Sequence, residues 1–312
     1  MASLSLALLG CAPEARPPLE VGYSALRISL PIFVAERRGL FARHGVRVRL
    51  RRYETAQPLV EEVLDGRIDA GGFAALPIVM TAVSRGGSPP LLATAMIEDA
   101  EHPVSYLLRR AGAAEPRDVA DLRGRRVGIL PTVAYARWLE AVLEQAGVPS
   151  SEVTVVPVAP PQQAQALEGG GVDALFTNDP MATAAIAAGV AEPLGAPAPV
   201  PRALGGPLVF GSFLVHPDTW RERPDEVRRV VAALDEAIEH IDADQAAARA
   251  DMRPFVREPE RPHVERYPPA RYQRSGELDD AGLAREVAAM QRLGILDSAP
   301  STHGWLLPAG AE

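Results

Sequence analysis

From residue 19 onward the chain alternates between strand-like and helix-like hydrophobic patterns. Residues 19–23 form a short apolar run typical of a buried strand, and residues 24–27 follow as a loop. Ser29 is placed to cap a helix that ends near Gly39, with a proline in its first turn. Residues 46–50 then alternate between apolar side chains and arginines, which is the period of a half-buried strand. This stretch therefore predicts a β-α-β unit.

Similar units fill most of the remaining chain. Further strands are predicted at residues 68–70, 91–97, 104–109, 126–130, 153–158, 172–176 and 208–215. Helices are predicted at residues 58–65, 76–85, 134–146, 161–168, 181–188, 219–242, 244–255 and 279–293. Residues 71–75 contain two glycines and are expected to form a loop, and residues 257–273 are expected to form a surface loop. Such alternation favours parallel sheets covered by helices.

Two blocks of this pattern resemble each other. The segment LDGRIDA at residues 64–70 recurs as LEGGGVDA at residues 167–174, with one insertion. Each segment precedes a loop, a proline and an alanine-rich helix. Two similar β/α lobes in one chain create a cleft between them, and such clefts commonly bind small molecules.

Side chains at the predicted strand ends are candidates for a binding site, because ligands of such sheets lie beyond the carboxyl ends of the strands. The candidates are Ser24, Arg27, Glu54, Thr55, Phe73 and Ala74 in the first block and Thr132, Tyr135, Asn178 and Asp179 in the second. Loops that open helices present backbone N–H groups, which favour an anionic solute. Arg27 would add a bidentate donor for such an anion.

Several of these candidates also have a purely structural interpretation. Arg27 could be an exposed loop arginine, and Asp179 before Pro180 suits a helix cap. Glu54 could pair with Arg27 or accept hydrogen bonds from a cationic solute. Four aromatic side chains could stack against a ring or belong to the core, namely Tyr23, Tyr53, Phe73 and Tyr135. The sequence leaves the choice between an anionic and an aromatic solute open.

Composition narrows the class of protein. The 312 residues carry a formal net charge of −8 without a basic patch interleaved with aromatic residues, which argues against a nucleic-acid partner. The six histidines show no metal-ligand spacing. No motif of a serine hydrolase, a zinc protease or a P-loop is found. We therefore expect a monomer that is not an enzyme and that needs no metal or cofactor.

The N-terminal segment predicts export and a lipid anchor. Residues 2–10 are small and apolar, and LLGC at residues 8–11 is similar to a bacterial lipobox, in which the peptide is cut before the cysteine. Cys11 would then carry lipid, and the proline-rich residues 12–18 would form a tether. No basic residue precedes the apolar run. An incidental Cys11 in a frayed N-terminus is the alternative.

One stretch and its continuation carry a family resemblance. A GY start at residue 22 is followed by the helix PIFVAERRGLF, the strand GVRVRL and the segment LDGRIDAGG. In these features, roughly residues 19–243 resemble the solute-binding proteins of ABC importers of the nitrate/sulfonate/taurine type. That group shares its fold with the thiamine-precursor binders.

The resemblance implies an α/β protein with a two-lobed periplasmic-binding-protein-like fold of the two-crossover type, each lobe a mostly parallel sheet covered by helices. Lobe one would comprise residues 19–103 and 212–312, and lobe two residues 104–211. The signal and tether would occupy residues 1–18. The strands near 104–109 and 210–215 would act as the hinge.

The implied function is capture of a small polar, anionic solute outside the cytoplasm and its delivery to an ABC permease. Closure of the two lobes by hinge bending would enclose the solute. One alternative is a cytoplasmic enzyme on the same fold, of the chorismate-dehydratase type. Another is a binder of a thiamine-precursor pyrimidine, although the cysteine-rich motif of the thiamine-precursor synthase is absent, since Cys11 is the only cysteine.

Overall fold

The computed structural model describes residues 16–308, so Cys11 and most of the predicted signal segment lie outside the described residues. The strands are β1 (Leu19–Ser24), β2 (Val48–Tyr53), β3 (Ala70–Ala75), β4 (Leu91–Glu98), β5 (Ser105–Arg110), β6 (Arg126–Ile129), β7 (Thr154–Pro157), β8 (Ala174–Asn178), β9 (Ala191–Pro193), β10 (Leu208–Val215) and β11 (Arg271–Gln273). The helices are α1 (Leu30–Arg37), α2 (Leu40–Arg43), α3 (Ala56–Leu64), α4 (Leu76–Ser84), α5 (Val133–Gln145), α6 (Gln163–Glu168), α7 (Met181–Ala187), α8 (Pro199–Leu204), α9 (Pro217–Glu222), α10 (Pro224–Ala243), α11 (Gln245–Asp251) and α12 (Asp280–Arg292).

Within the described residues, six strands form the first sheet, in the order β11-β4-β10-β3-β1-β2. β1 pairs in parallel with β2 and β3. β10 lies antiparallel between β3 and β4, and β11 is antiparallel to β4. The strands β1 to β4 therefore run in one direction, and the strands from the C-terminal part run against them, so that the sheet is mixed.

The second sheet has the order β7-β6-β8-β5-β9 among the residues described. β6 is parallel to β7 and β8, whereas β5 is antiparallel to β8 and β9. The helices α5, α6 and α7 pack against this sheet, and α1, α3, α4 and α10 belong to the first. Each sheet is thus covered by helices, as expected for the two-lobed α/β class.

The internal repeat has a structural counterpart in Asp69 and Asp173. Asp69 Oδ2 accepts a hydrogen bond from the backbone N–H of Glu20, at the start of β1, at 2.8 Å. Asp173 Oδ2 accepts from the backbone N–H of Arg126, at the start of β6, at 2.8 Å. In both sheets the aspartate that precedes one strand therefore accepts a hydrogen bond from the start of the neighbouring parallel strand.

The chain crosses between the sheets at residues 99–104, which link β4 to β5, and at residues 194–207, which link β9 to β10. β5 pairs only with strands of the second sheet, and β10 only with strands of the first, among the residues described. The expected lobe boundary after residue 211 therefore falls inside β10. The crossing segments flank the strands that were expected to form the hinge.

The predicted loop at residues 71–75 is wrong, because these residues form the buried strand β3. Gly72 adopts a φ of +148°, and a Cβ there would lie 2.9 Å from the backbone oxygen of Ser212 on β10. Only glycine permits this approach of two strands. The two glycines of β3 therefore allow close packing and do not form a loop.

Two predictions in the C-terminal part are also wrong. The helix expected over residues 219–242 is interrupted, because Pro224 begins α10 after α9 has ended. The stretch 257–273 is not a surface loop, since Val264, Tyr267 and Tyr272 are buried and β11 lies within it. The strands β9 and β11 and the helix α8 were not predicted.

Candidate functional site

Arg27 lies at the end of β1, in a short 3-10 turn that leads into α1. Its side chain is only 2% exposed, which rules out the interpretation as an exposed loop arginine. Nη1 donates to the backbone oxygens of Pro268 at 3.0 Å and Pro269 at 3.1 Å. Nη2 donates to the oxygen of Pro103 at 2.7 Å. Arg27 therefore joins β1 to the first crossing segment and to the C-terminal stretch.

Asp179 follows β8 and comes from the second sheet. Its Oδ2 lies 3.3 Å from Arg27 Nη2, and both side chains are buried. Its Oδ1 accepts hydrogen bonds from Thr183 N at 3.1 Å and Thr183 Oγ1 at 2.6 Å, at the start of α7. Asp179 thus caps a helix with one oxygen and faces Arg27 with the other.

Glu98 ends β4 and is completely buried. Its Oε1 accepts from Val104 N at 3.1 Å, Ser105 N at 2.6 Å and Ser105 Oγ at 2.5 Å. Burial raises the pKa of Glu98, and the hydrogen bonds from Ser105 together with the charge of Arg27 oppose that shift. Burial likewise raises the pKa of Asp179, with Arg27 opposing. The positive charge of Arg27 therefore acts on both carboxyl groups, and of the two Asp179 is the one within ion-pair distance.

Tyr135 and Asn178 complete the polar cluster on the second lobe. Tyr135, in the first turn of α5, is buried, and its pKa is raised by burial and then by the negative charges of Glu98 and Asp179. Asn178 pairs with Ser105 in the ladder between β8 and β5. We refer to Arg27, Glu98, Tyr135, Asn178 and Asp179 as the interlobe cluster.

Several side chains surround the interlobe cluster. The hydroxyl of Tyr272, on β11, donates to the backbone oxygen of Arg27 at 2.7 Å. Burial and the negative charge of Asp179 raise the pKa of Tyr106 on β5. Burial and the positive charge of Arg27 lower the pKa of Arg249 on α11. Both sheets and the C-terminal helices therefore contribute to one buried polar region.

The remaining polar candidates do not join the interlobe cluster. Glu54 has a 71% exposed side chain and pairs with Arg52 at 3.2 Å, so of the two alternatives for Glu54 the pairing with Arg27 is wrong. Thr55 precedes α3, is exposed and makes no side-chain capping hydrogen bond. Thr132 is exposed as well, and its hydroxyl accepts from Tyr135 N at 3.3 Å as the cap of α5.

The apolar candidates belong to the core. Phe73 is buried, and its ring packs edge-on against Tyr272 with centroids 5.5 Å apart. Ala74 is fully buried within β3. Ser24 is buried, and its hydroxyl lies 3.4 Å from that of Ser29. Ser29 donates to the oxygen of Gly72 at 3.1 Å instead of capping α1, so the expected cap is wrong.

Sequence reasoning missed the residues that hold Arg27. The acceptors are backbone oxygens of Pro103, Pro268 and Pro269, and a carbonyl leaves no side-chain signal. Glu98 directly follows the strand predicted at residues 91–97 and was not among the candidate residues. The apolar residues Tyr267, Ala270 and Tyr272 were the one available signal that residues 257–273 are buried.

Other features of the described residues lie outside the interlobe cluster. A cavity of about 610 Å³ is lined by residues 204–209, β11 and α12, including the buried Glu286. No group of three or more acidic, histidine or cysteine side chains between residues 16 and 308 could hold a metal ion. Across the same residues, no helix combines the length and apolar character that crossing a membrane requires.

The fold and the interlobe cluster define a two-lobed protein of the periplasmic-binding-protein type. Residues 12–253 match the model of the NMT1-like family, and the chain belongs to this family. This match confirms the resemblance to solute-binding proteins of the nitrate/sulfonate/taurine type. A stretch of 175 residues, 52% of this chain, is 25% identical to the nitrate import ATP-binding protein NrtC of Synechocystis. The chain spans about a quarter of that relative, since the match covers 26% of its length.

Solved structures show the same fold. The alkanesulfonate-binding protein SsuA of Xanthomonas axonopodis, bound to MOPS, is 21% identical, with a TM-score of 0.71, over 94% of this chain and 99% of that one. The periplasmic aliphatic sulphonate-binding protein SsuA of Escherichia coli is 17% identical, with a TM-score of 0.74, over 93% and 98%. The desulfurization enzyme DszB is 18% identical, with a TM-score of 0.67, over 93% and 96%. Binding proteins and an enzyme therefore share this architecture.

Proposed function

We propose that this protein is an extracytoplasmic solute-binding protein that captures a small polar molecule between its two lobes and delivers it to an ABC importer. Membership of the NMT1-like family and the fold shared with sulfonate-binding proteins support this proposal. The permease and its ATPase are the expected partners.

The observation that carries the proposal is the buried contact between Arg27 and Asp179, 3.3 Å apart. The two residues follow strands of different sheets, so this contact joins the two lobes. Buried charges are stable only when they are paired and hydrogen-bonded. A polar region enclosed by two lobes is therefore suited to a polar solute.

The proposed mechanism is closure about the crossing segments at residues 99–104 and 194–207. When these segments bend, the loops after β1 and β8 approach each other and the solute leaves water. The closed form would then dock on the permease. Side chains of both lobes that meet the solute would make closure depend on its presence.

Native mass spectrometry of the purified protein tests this function. We expect a mass adduct of a retained small molecule that is lost in Asp179→Asn and kept in Asp251→Asn. Asp251 is a suitable control because it also pairs with an arginine, Arg38, at 2.8 Å, but within one lobe. No adduct in the wild type, together with no compaction in small-angle scattering on adding candidate solutes, would contradict the proposal.

We also propose that Cys11 carries a lipid anchor, as its lipobox-like context predicts. Fatty-acid labelling of cells that express the wild type or Cys11→Ala tests this proposal. We expect label and membrane fractionation only for the wild type. Equal labelling of the two proteins would refute the anchor and would leave solute binding unaffected.

A second candidate function is an enzyme on the same fold. It is favoured by the two buried carboxyl groups with raised pKa, Glu98 and Asp179, since such groups can act as general acids or bases. DszB shows that the fold supports an enzyme. Recovery of the retained molecule unchanged after long incubation would exclude this alternative.

A further inference from the structure

We propose that the cavity beside α12 is a second ligand site, which takes a small molecule with an amine at one end and an acid group at the other, as in an amino acid. The buried carboxyl group of Glu286 receives the amine, and the guanidinium groups of Arg285 and Arg292 receive the acid. The site is separate from the interlobe cluster, so the inference does not depend on the proposed function.

The cavity lies on the opposite face of the first sheet from the interlobe cluster. Ile97 of β4 lines the cavity, whereas the next residue, Glu98, belongs to the interlobe cluster. Gln273 of β11 lines the cavity, whereas its neighbour Tyr272 donates to the backbone oxygen of Arg27. Successive side chains of a strand point to opposite faces of the sheet. The paired strands β4 and β11 therefore separate the two regions.

Small side chains on α12 leave the space open. Gly282 and Ala289 both line the cavity and lie about two helical turns apart on this helix. Leu204 and Leu208 contribute apolar surface from the second crossing segment and from the start of β10. The volume of about 610 Å³ is within the range of pockets that bind small organic molecules.

The inner end of the cavity carries buried acceptor oxygens. Glu286 is only 8% exposed, and its Oε1 accepts from Val209 N at 2.9 Å, while its Oε2 accepts no hydrogen bond from residues 16–308. Gln273 Oε1 is also buried without a partner in the described chain. None of the unpartnered buried donors found among the same residues lines this cavity. An ammonium group has three donors and would satisfy these oxygens.

The electrostatics of Glu286 agree with a cationic partner. Burial raises its pKa to about 7, while the hydrogen bond from Val209 and the charge of Arg285 oppose the shift. A close opposite charge would favour the ionised form and lower this pKa. A bound ammonium group would supply that charge, so that binding of the amine and ionisation of Glu286 are linked.

The outer end of the cavity carries exposed guanidinium groups. Arg285 and Arg292 line the cavity about two helical turns apart, and both are exposed. Within residues 16–308 neither forms an ion pair, whereas Arg271, which also lines the cavity, is held by Asp99 at 2.9 Å. Guanidinium groups bind carboxylates in bidentate fashion. A ligand that reaches from Glu286 to this end therefore carries an amine and an acid.

Matched probes test the site by calorimetry at pH 8. The probes are γ-aminobutyrate, butylamine and butyrate, which share one carbon skeleton and differ only in the amine and the acid group. We expect butyrate to bind about 10- to 100-fold more weakly than γ-aminobutyrate, as for the loss of a hydrogen bond to a charged group. Butylamine should bind about two- to fivefold more weakly, as for the loss of an exposed ion pair.

The same titration at pH 6 tests the link to Glu286. With a pKa of about 7, most of the Glu286 carboxyl groups are protonated at pH 6, so γ-aminobutyrate should bind about tenfold more weakly than at pH 8. Burial alone would raise the pKa of Glu277, but hydrogen bonds from Arg274 lower it. The charged side chains that line the cavity beside Glu286 are Arg271, Glu277, Asp279, Arg285 and Arg292.

Glu286→Gln keeps an oxygen for the N–H of Val209 and removes the charge. We expect it to bind γ-aminobutyrate about 10- to 100-fold more weakly at pH 8 and to lose the difference between pH 6 and pH 8. Asp235→Asn is the control, since Asp235 also accepts a backbone N–H, from Ser275 at 2.8 Å, and burial raises its pKa, but it lies on α10 outside the cavity. It should bind like the wild type.

Ala289→Leu tests the location, because the larger side chain fills the cavity. It should abolish binding of γ-aminobutyrate while circular dichroism shows an intact fold. Should Glu286→Gln fail to fold, Ala289→Leu and the wild type at the two pH values decide the result.

Four results would overturn the inference. They are butyrate binding as tightly as γ-aminobutyrate, the same affinity of the wild type at pH 6 and pH 8, unchanged binding in Ala289→Leu, and no binding of γ-aminobutyrate to the wild type at millimolar concentration. Full affinity in Glu286→Gln at pH 8 would overturn the role of the carboxylate and the inference with it.

Discussion

The guanidinium of Arg27 lies 3.3 Å from the carboxylate of Asp179, although the two residues follow strands of different sheets. Each is held by its own lobe. Arg27 donates to proline oxygens, and Asp179 accepts from Thr183 at the start of α7. Because the pair joins the two lobes, a change in the relative position of the lobes would change the distance between these two charges.

We expect Arg27→Ala to destabilise the protein by about 3–5 kcal/mol, the usual effect of removing one partner of a buried ion pair. The substitution leaves Asp179 without its charge partner and removes the donor to three proline oxygens. Urea unfolding measures the loss. Arg49→Ala is the control, because Arg49 is 66% exposed and pairs with Glu20 at 2.5 Å, and its effect should stay within about 0.5 kcal/mol. Equal losses would contradict the structural role of Arg27.

We expect Asp179→Asn to populate a more open arrangement of the lobes. The variant keeps an oxygen for Thr183 but loses the attraction to Arg27 across the cleft. Small-angle scattering should give a larger radius of gyration than for the wild type without added solute. Asp251→Asn should leave this radius unchanged, since its partner Arg38 lies at the end of α1, in the same lobe as α11. An unchanged radius in both variants would show that the pair does not control lobe position.

We expect stability to fall as the pH rises from about 4 to 7, with Glu286 as one cause. Burial raises the pKa of Glu286 to about 7, while the hydrogen bond from Val209 opposes the shift. Between the unfolded and the folded pKa, the folded protein binds more protons at this group, so deprotonation favours unfolding. The ordinary pKa of a glutamate is about 4.3, so the raised pKa of Glu286 corresponds to a loss in the free energy of unfolding on the order of 3 kcal/mol.

Urea unfolding at pH 5 and pH 8 measures this dependence. Glu98 and Asp179 contribute in the same direction, because their pKa values are also raised by burial. Glu286→Gln should therefore reduce the loss between the two pH values without abolishing it. A pH dependence identical to that of the wild type would show that Glu286 does not titrate in this range.

We expect Asp69→Ala and Asp173→Ala to cost similar stability, about 1.5–3 kcal/mol each, as for hydrogen bonds to charged groups. Each carboxylate accepts the backbone N–H that begins the neighbouring parallel strand, at 2.8 Å in both sheets. Asp65→Ala is the control, since Asp65 is 56% exposed and pairs with the exposed Arg67. If only one of the two variants loses stability, the two aspartates do not contribute equally to the free energy of unfolding.

Much of the fold could be predicted from the sequence because its elements depend on local patterns. Examples are the apolar run of β1, the repeat around Asp69 and Asp173, and the helix predicted at residues 134–146, each of which depends on a few neighbouring residues. The errors occurred where a distant strand decides the outcome. Residues 71–75 read as a glycine loop, but β10 pairs with them and makes them a strand. Residues 257–273 read as surface, but Tyr272 packs against Phe73.

The sequence by itself determined the order of β/α units, the two similar lobes and the placement of polar residues at strand ends, since these follow from hydrophobic period and turn chemistry. Only the tertiary structure decided which charges meet. The acceptor Pro268 is 241 residues from Arg27 along the chain, and Asp179 belongs to another sheet. Burial and pairing depend on how the chain crosses between the sheets, and no local pattern records that path. For this reason Arg27, expected to bind an anion, is enclosed by oxygens of its own chain.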